Sequence, residues 1–459
     1  MSNAPTKILA VVCAAAFFGV LNASAVTVVL PAMGEAFHAE AGGLGWVVSI
    51  FLLTYGVAIP FYGRLSDRFG VRPLYLLGLG LFGVGSLLCA AAPSLALMLV
   101  ARVVQALGGA AFAGLGMTLA SRPFPPHRRG VALGAIAATM GVGAAVGPLA
   151  GGLITDFLSW RLLFGISGMA VLIIPIARAV FPQEAVTREA PLDLLGGSIL
   201  AVGVSSALLA LGEGSRAGWA EPHVLVALVV AGGAFLALVR HQSRVEAPFL
   251  PRELLANGTY RRIVAMGFMT TGSYLAAAIG FPLLLIRVNG LSASDVGLVL
   301  VPGAVMTAVV GVVAGKLVDR YGARLPTLVG AGLMTAVMVG LSFSAGRSVF
   351  AVGALAGVLG GAYSLLNTPL AATITNLVQP KVLASALSIN IMVFFVGGSF
   401  GTTLFVSIAD SPAAGASWNA LYDGPATGFS SAFLLFAAPM LATAALALTL
   451  GRTKNNPQD

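Results

Sequence analysis

Fourteen stretches of largely apolar residues recur along the chain, each about as long as the ~20 residues an α-helix needs to cross the hydrocarbon core of a bilayer. They fall near 8–31, 45–62, 73–92, 95–118, 130–156, 161–180, 192–211, 223–240, 261–286, 295–315, 325–344, 350–375, 383–409 and 428–450. Only 9% of the 459 residues are charged, against about a quarter in a soluble protein. Such a chain cannot cover its surface for water, so lipid is its solvent. Its 58 glycines suit helices that pack closely in a bilayer. Cys13 and Cys89 sit in apolar runs and are expected near opposite membrane faces, so no disulfide is expected. Lys7, an apolar run and Ala23-Ser24-Ala25 have the look of a cleavable signal. The many spans that follow, and Pro31 closing the run, favour a first membrane helix.

The loops test the count, because cytoplasmic loops are enriched in Lys and Arg. With the N-terminus inside, 20 of the 25 cations fall on cytoplasmic segments. The outer loops hold only Arg161, Arg216, Arg287 and Arg347, and Arg102 lies within a span. Acidic residues divide eight to each side, as expected of a rule that counts cations. Both termini are therefore expected in the cytoplasm. The net charge of +9 follows this distribution and does not indicate nucleic-acid binding.

An internal repeat divides the chain. Gly63-Arg64-Leu65-Ser66-Asp67-Arg68-Phe69-Gly70-Val71-Arg72 recurs 252 residues later as Gly315-Lys316-Leu317-Val318-Asp319-Arg320-Tyr321-Gly322-Ala323-Arg324. The copies follow the second and tenth runs, so eight runs separate them where two six-helix halves would give six. The surplus is a helix pair between the halves. Residues 1–185 are read as an N-terminal six-helix bundle, 186–245 as the inserted pair with its flanking loops, and 246–459 as a C-terminal six-helix bundle. Parallel repeats of this kind enclose midplane sites in transporters.

Further strings sit on particular runs. Gly143-Ala144-Ala145-Val146-Gly147-Pro148-Leu149-Ala150-Gly151-Gly152 lies on the fifth, and Arg102-Val103-Val104-Gln105-Ala106-Leu107-Gly108 on the fourth. Together with the repeated loop, Trp160-Arg161 and Trp46, they give the chain a close resemblance to the fourteen-helix drug:proton antiporter branch of the major facilitator superfamily. The loop is similar to the G-x-L-a-D-r-x-G-r-k signature and the fifth-run string to the antiporter signature G-x-x-x-G-P-x-x-G-G. The fourth-run string matches R-x-x-Q-G-x-G, except that Ala106 replaces a glycine. The resemblance covers nearly the whole chain. It implies an all-α membrane protein of the major facilitator fold, with two six-helix bundles plus two extra central helices, working by alternating access.

Each motif has a physical reading. Two glycines of the repeated loop permit a tight turn. Asp67 is then placed to cap a neighbouring helix or to pair with Arg68 or Arg122. The resemblance makes Gly63, Asp67, Arg68, Gly70, Asp319 and Arg320 a cytoplasmic gate; the plainer reading is of loop charges that set topology. Gly143, Gly147, Gly151 and Gly152 form a flat face for another backbone, and Pro148 removes a helical hydrogen bond. The reading is of a hinge or of small-residue packing. A buried Arg102 costs roughly 2.5–3.5 kcal/mol on insertion scales, and is expected to find a carboxylate or polar partner, with Asp156 and Glu35 nearest in depth. By resemblance, spans 1, 4, 9 and 12 line a cavity with Asn22, Thr27, Arg102, Gln105, Thr270, Tyr274, Tyr363 and Asn367.

The chain departs from the branch in its acids. Leu21-Asn22-Ala23-Ser24-Ala25-Val26-Thr27-Val28-Val29-Leu30-Pro31 follows an L-D-x-T-x-V-N-V-x-L-P pattern with Asn22 where Asp is usual, and no acid lies near Val396–Gly398 on the thirteenth run. Proton coupling needs a titrating group, which leaves Asp156, Glu35 and Asp410. Without an intramembrane acid, a neutral, zwitterionic or anionic amphiphile suits the cavity better than a permanent cation. The expected partners are a small amphipathic substrate, protons and the lipid bilayer, with no nucleic acid, and the transporter is expected to be a monomer. Enzyme readings find no phosphate loop and no metal cluster, and His38, His127, His223 and His241 are all read as loop residues. No cofactor is expected. The function expected is proton-coupled efflux of a drug-like compound from the cell; an uncoupled facilitator or a lipid or metabolite transporter of the same fold is the alternative, and a membrane scaffold or sensor a third.

Overall fold

The computed structural model describes residues 4–38, 41–183, 193–409 and 418–450. Among them are fourteen helices long and apolar enough to cross a membrane, and no strand. Without water in the hydrocarbon core every backbone amide must find its partner within the element, which a helix achieves. Spans 1 to 5 are Ala4–Phe37, Ala41–Phe69, Val71–Ala91, Leu95–Ser121 and Arg129–Phe157. Span 6, Trp160–Val180, tightens into a 3-10 turn at Met169–Leu172. Spans 7 to 13 are Leu194–Ala217, Pro222–Arg244, Gly258–Arg287, Ala293–Tyr321, Arg324–Ser344, Val349–Leu377 and Leu383–Ala409; span 14 is Thr427–Leu448. Side chains of Ser94, Ser159, Asp193, Asn257, Ser292 and Ser348 accept first-turn amides at six of the helix starts, as capping requires.

Span 1 packs on span 5, span 3 on spans 4 and 6, and span 2 on span 4. The same pairings return as span 9 on 13, span 11 on 12 and 14, and span 10 on 12. The two bundles meet along span 5 against span 10 and span 2 against span 13. These seams exchange places when the halves are interchanged.

The repeated motif departs from its expectation as a loop. Span 2 continues through Phe69 and span 10 through Tyr321, so Gly63, Asp67, Gly315 and Asp319 are helical. One residue of each copy makes the turn: Gly70 at φ 83° and Gly322 at φ 74°, a region open to glycine because it lacks a Cβ. Gly63 and Gly315 serve contact instead. A Cβ on Gly63 would lie 2.8 Å from the Ser388 side chain, and one on Gly315 would lie 2.3 Å from the Gly130 carbonyl.

Span 7 lies against both span 2 and span 13. Gly56, Leu208 and Phe395 meet there, and Thr403 donates to the Leu211 carbonyl at 3.1 Å. Span 7 of the inserted pair thus covers the seam between spans 2 and 13, and span 8 packs on span 7. His223 and His241, expected in loops, lie in the first and last turns of span 8.

Candidate functional site

A buried polar network occupies the outer half of the N-terminal bundle. Arg102, 1% exposed, donates from Nε to the Val47 carbonyl at 3.0 Å and from one terminal nitrogen to Asn22 Oδ1 at 3.0 Å and Gln105 Oε1 at 2.6 Å. Its guanidinium carbon lies 4.2 Å from the centre of the Phe51 ring. Asn22 donates in turn to Ser167 at 2.9 Å, and Gln105 to Ser86 at 2.7 Å. The expected carboxylate is not among these partners. Glu35 is exposed near the end of span 1, Asp156 lies in span 5 with its side chain outside what is described, and Asp410 falls outside the described residues. Neutral acceptors and an aromatic face solvate the charge instead. Thr27 does not join this group; it is exposed and donates to the Ser24 carbonyl of its own helix at 2.9 Å. Phe51, Ser86 and Ser167 were not singled out in the sequence, where an isolated phenylalanine or serine in an apolar run carries no distinguishing signal.

The C-terminal bundle brings its expected residues together differently. The Tyr274 and Tyr363 rings stack with centroids 4.0 Å apart. On the same spans, Thr270 Oγ1 and Asn367 Oδ1 are buried without a hydrogen-bond partner among the described residues. Thr271, Thr368, Ser388 and Asn390 add further orphaned atoms on spans 9, 12 and 13. Buried polar atoms normally find partners; these six all belong to spans 9, 12 and 13 of the C-terminal bundle.

The repeated aspartates lie at the bundle seams. Asp67 accepts from Arg64 at 3.1 Å and from Ser385 of span 13 at 2.9 Å. Asp319 accepts the first-turn amides of span 5, Gly130 and Val131, each at 2.9 Å. That is a carboxylate on a helix N-terminus, where the dipole favours it. Arg122 donates to the Pro380 carbonyl at 2.9 Å and Arg129 to the Thr375 carbonyl at 2.6 Å. Arg68 and Arg320 take no part in these aspartate contacts and lie over their neighbours Phe69 and Tyr321.

Span 5 carries glycines on two faces. Cβ atoms built on Gly143, Gly147 and Gly151 would meet span 1 backbone at 3.3, 3.0 and 3.0 Å, whereas one on Gly152 would meet nothing within 4 Å. The helix is continuous past Pro148. Toward the cytoplasm, Cβ atoms on Gly130 and Gly134 would lie 2.6 and 2.4 Å from the Gly315 and Gly311 carbonyls of span 10.

The apolar cores follow the same division. One cluster crosses between bundles at the cytoplasmic end, joining Tyr62, Tyr75 and Leu119 to Val318, Ala371, Ala384 and Phe394. In the outer half the cores are separate, one around Met33, Met98 and Trp160 and the other around Phe281, Met334 and Phe433.

Comparison with known proteins agrees with this architecture. The sequence matches the Major Facilitator Superfamily profile over residues 12–402. The chain belongs to that superfamily. It is 30% identical to the multidrug resistance protein Stp of Mycobacterium tuberculosis over 84% of this chain and 73% of Stp. Against the uncharacterized MFS-type transporter YhcA of Bacillus subtilis it is 30% identical over 71% of this chain and spans 62% of that protein. The structure of the proton:xylose symporter XylE superposes with a TM-score of 0.70 at 15% identity, covering 98% of this chain and 96% of XylE, a likeness of fold. This superfamily member is a multi-pass membrane transporter and not an enzyme.

Proposed function

We propose that this major facilitator exports a small amphipathic compound by alternating access, driven by the proton gradient. The observation that carries this reading is the one-sided joining of the bundles: the Asp67 and Asp319 contacts and the shared core lie at the cytoplasmic end, while the outer cores are separate. That is the arrangement of an outward-facing state. Domains 1–185 and 246–459 are the rocking units, with 186–245 as the strap between them, and the protein functions as a monomer in the cell membrane.

In this reading the substrate lies between the Arg102 network and the Tyr274–Tyr363 stack, with Asn22, Thr27, Gln105, Thr270 and Asn367 on the cavity wall. Arg102, whose partners among the described residues are all neutral, favours a neutral, zwitterionic or anionic substrate over a quaternary cation. Similarity to a multidrug resistance protein supports a drug-like compound. The gate is Gly63, Asp67, Arg68, Gly70, Asp319 and Arg320; the hinge is Gly143, Gly147, Pro148, Gly151 and Gly152. Asp156, Glu35 and Asp410 are the proton carriers to test.

Asn22 as the Arg102 partner favours one second reading, an uncoupled facilitator or a lipid or metabolite transporter. Reconstituted vesicles distinguish the two: coupled export requires an imposed pH gradient and releases protons when substrate is added, whereas facilitation proceeds without either. A strong preference for quaternary cations would count against the substrate class.

A further inference from the structure

A second feature lies away from the bundle seams, on the outer face of spans 3 and 6. The two helices touch closely where a Cβ on Gly83 would lie 2.0 Å from Val171, with the Gly168 carbonyl 3.2 Å away. Toward the cytoplasm they separate. At the far end Arg72 rejoins them by donating to the Arg178 carbonyl at 2.7 Å. Between these two ties runs a groove of about 460 Å³ lined by Leu77, Gly80, Leu81, Val84 and Ile174, with Arg178 at its cytoplasmic mouth. Gly80 keeps the floor open, since even an added Cβ there would reach only Ile174, at 4.0 Å.

The groove lacks the several convergent polar groups of a drug site. Leu77 and Val84 are 52% and 49% exposed and face lipid. From Pro73 to Val84, eleven residues at 1.5 Å rise give a length of about 16 Å, close to half of the ~30 Å hydrocarbon core. That is the reach of one acyl chain in one leaflet. Its mouth is basic: Arg178 lines it, is exposed and makes no side-chain hydrogen bond or ion pair among the described residues, and Arg72 is held beside it by the bond to the Arg178 carbonyl. Basic pockets between membrane helices on the cytoplasmic side select anionic headgroups.

We propose that this groove is a binding site for an anionic phospholipid of the cytoplasmic leaflet, its acyl chain over Gly80 and its phosphate at Arg178 and Arg72. The site is separate from the transport pathway.

Native mass spectrometry of the whole transporter, loaded with phosphatidylglycerol or phosphatidylcholine, tests it. Phosphatidylglycerol is expected to be retained selectively. Arg178→Gln, a change at an exposed side chain, should weaken retention about fivefold, the equivalent of about 1 kcal/mol for one juxtamembrane arginine. Gly80→Leu should abolish selective retention with the charges intact, and Arg347→Gln at the opposite face should change nothing. Equal retention of the two lipids, or undiminished selectivity in Arg178→Gln, would overturn the proposal. So would equal protection of the protein against heat by inorganic phosphate alone, which would indicate a free-anion site. Should Gly80→Leu not fold, the Arg178→Gln result decides.

Discussion

A buried cation ordinarily carries a carboxylate beside it, and among the described residues Arg102 has none. Its charge is spread over three neutral oxygens and the Phe51 ring. Arg102→Ala would leave the Asn22 and Gln105 oxygens and the Val47 carbonyl without their donor, and a buried polar group left unsatisfied costs about 1–3 kcal/mol. We expect a lowered melting temperature and lost transport. Lysine cannot supply the planar fork, so Arg102→Lys should restore folding better than activity. Asn22→Asp would place a titratable group at the 3.0 Å contact with Arg102. Vesicle flux in that variant should become more pH-dependent than in the parent; an unchanged pH profile would separate this network from coupling. At this scale the sequence was half legible. A lone arginine in an apolar run announces burial, as does Gln105 one turn on. The partners from spans 1, 2, 3 and 6 are brought in by packing, and no spacing rule encodes them.

Among elements, spans 5 and 10 depend most on what their residues lack. Gly134→Ala or Gly315→Ala would drive a methyl group into backbone carbonyls of the facing helix. Because that contact joins the two bundles, both changes should open the cytoplasmic seam and reduce export, while Gly332→Ala on span 11, with nothing within 4 Å, should be tolerated. Labelling of a cysteine placed along the seam reports the difference. The strap has its own fastening. Asp193 caps span 7 through Gly196, accepts from Phe249 and pairs with His241 at the end of span 8. Burial pushes its carboxyl up, but these donors outweigh that and hold it below the usual range. A depressed carboxyl stabilises the fold above its unfolded value, about 3.9, and that contribution is lost as pH falls through the folded one. Hydrogen exchange at Gly196 and Phe249 should therefore stay protected at neutral pH and lose protection only as pH falls through the folded value, which lies below the ordinary carboxyl value of about 3.9. Span positions were legible throughout, since periodicity is scarcely needed when each run is long enough to cross. The ends of spans 2 and 10 were not: the charged motif reads as a loop, yet it continues the helix until Gly70 and Gly322.

For the whole molecule, repeat symmetry accounts for both the pairing of spans and the placement of the two aspartates. Each ends the second helix of its own half and reaches the fifth helix of the other. Charge-assisted hydrogen bonds of this kind contribute about 1.5–3 kcal/mol each, and each 1.4 kcal/mol is a tenfold shift in population. Loss of the Asp319 contacts alone should therefore move the conformational equilibrium by tenfold or more. The most direct test is the distance between nitroxide labels on His127→Cys and Lys381→Cys at the cytoplasmic ends, and on Leu158→Cys and Leu298→Cys at the outer ends, with Cys13 and Cys89 replaced. We expect Asp319→Ala to lengthen the cytoplasmic distance and shorten the outer one; if both distances stay fixed, or change in the same direction, the bundles do not alternate about a latched seam.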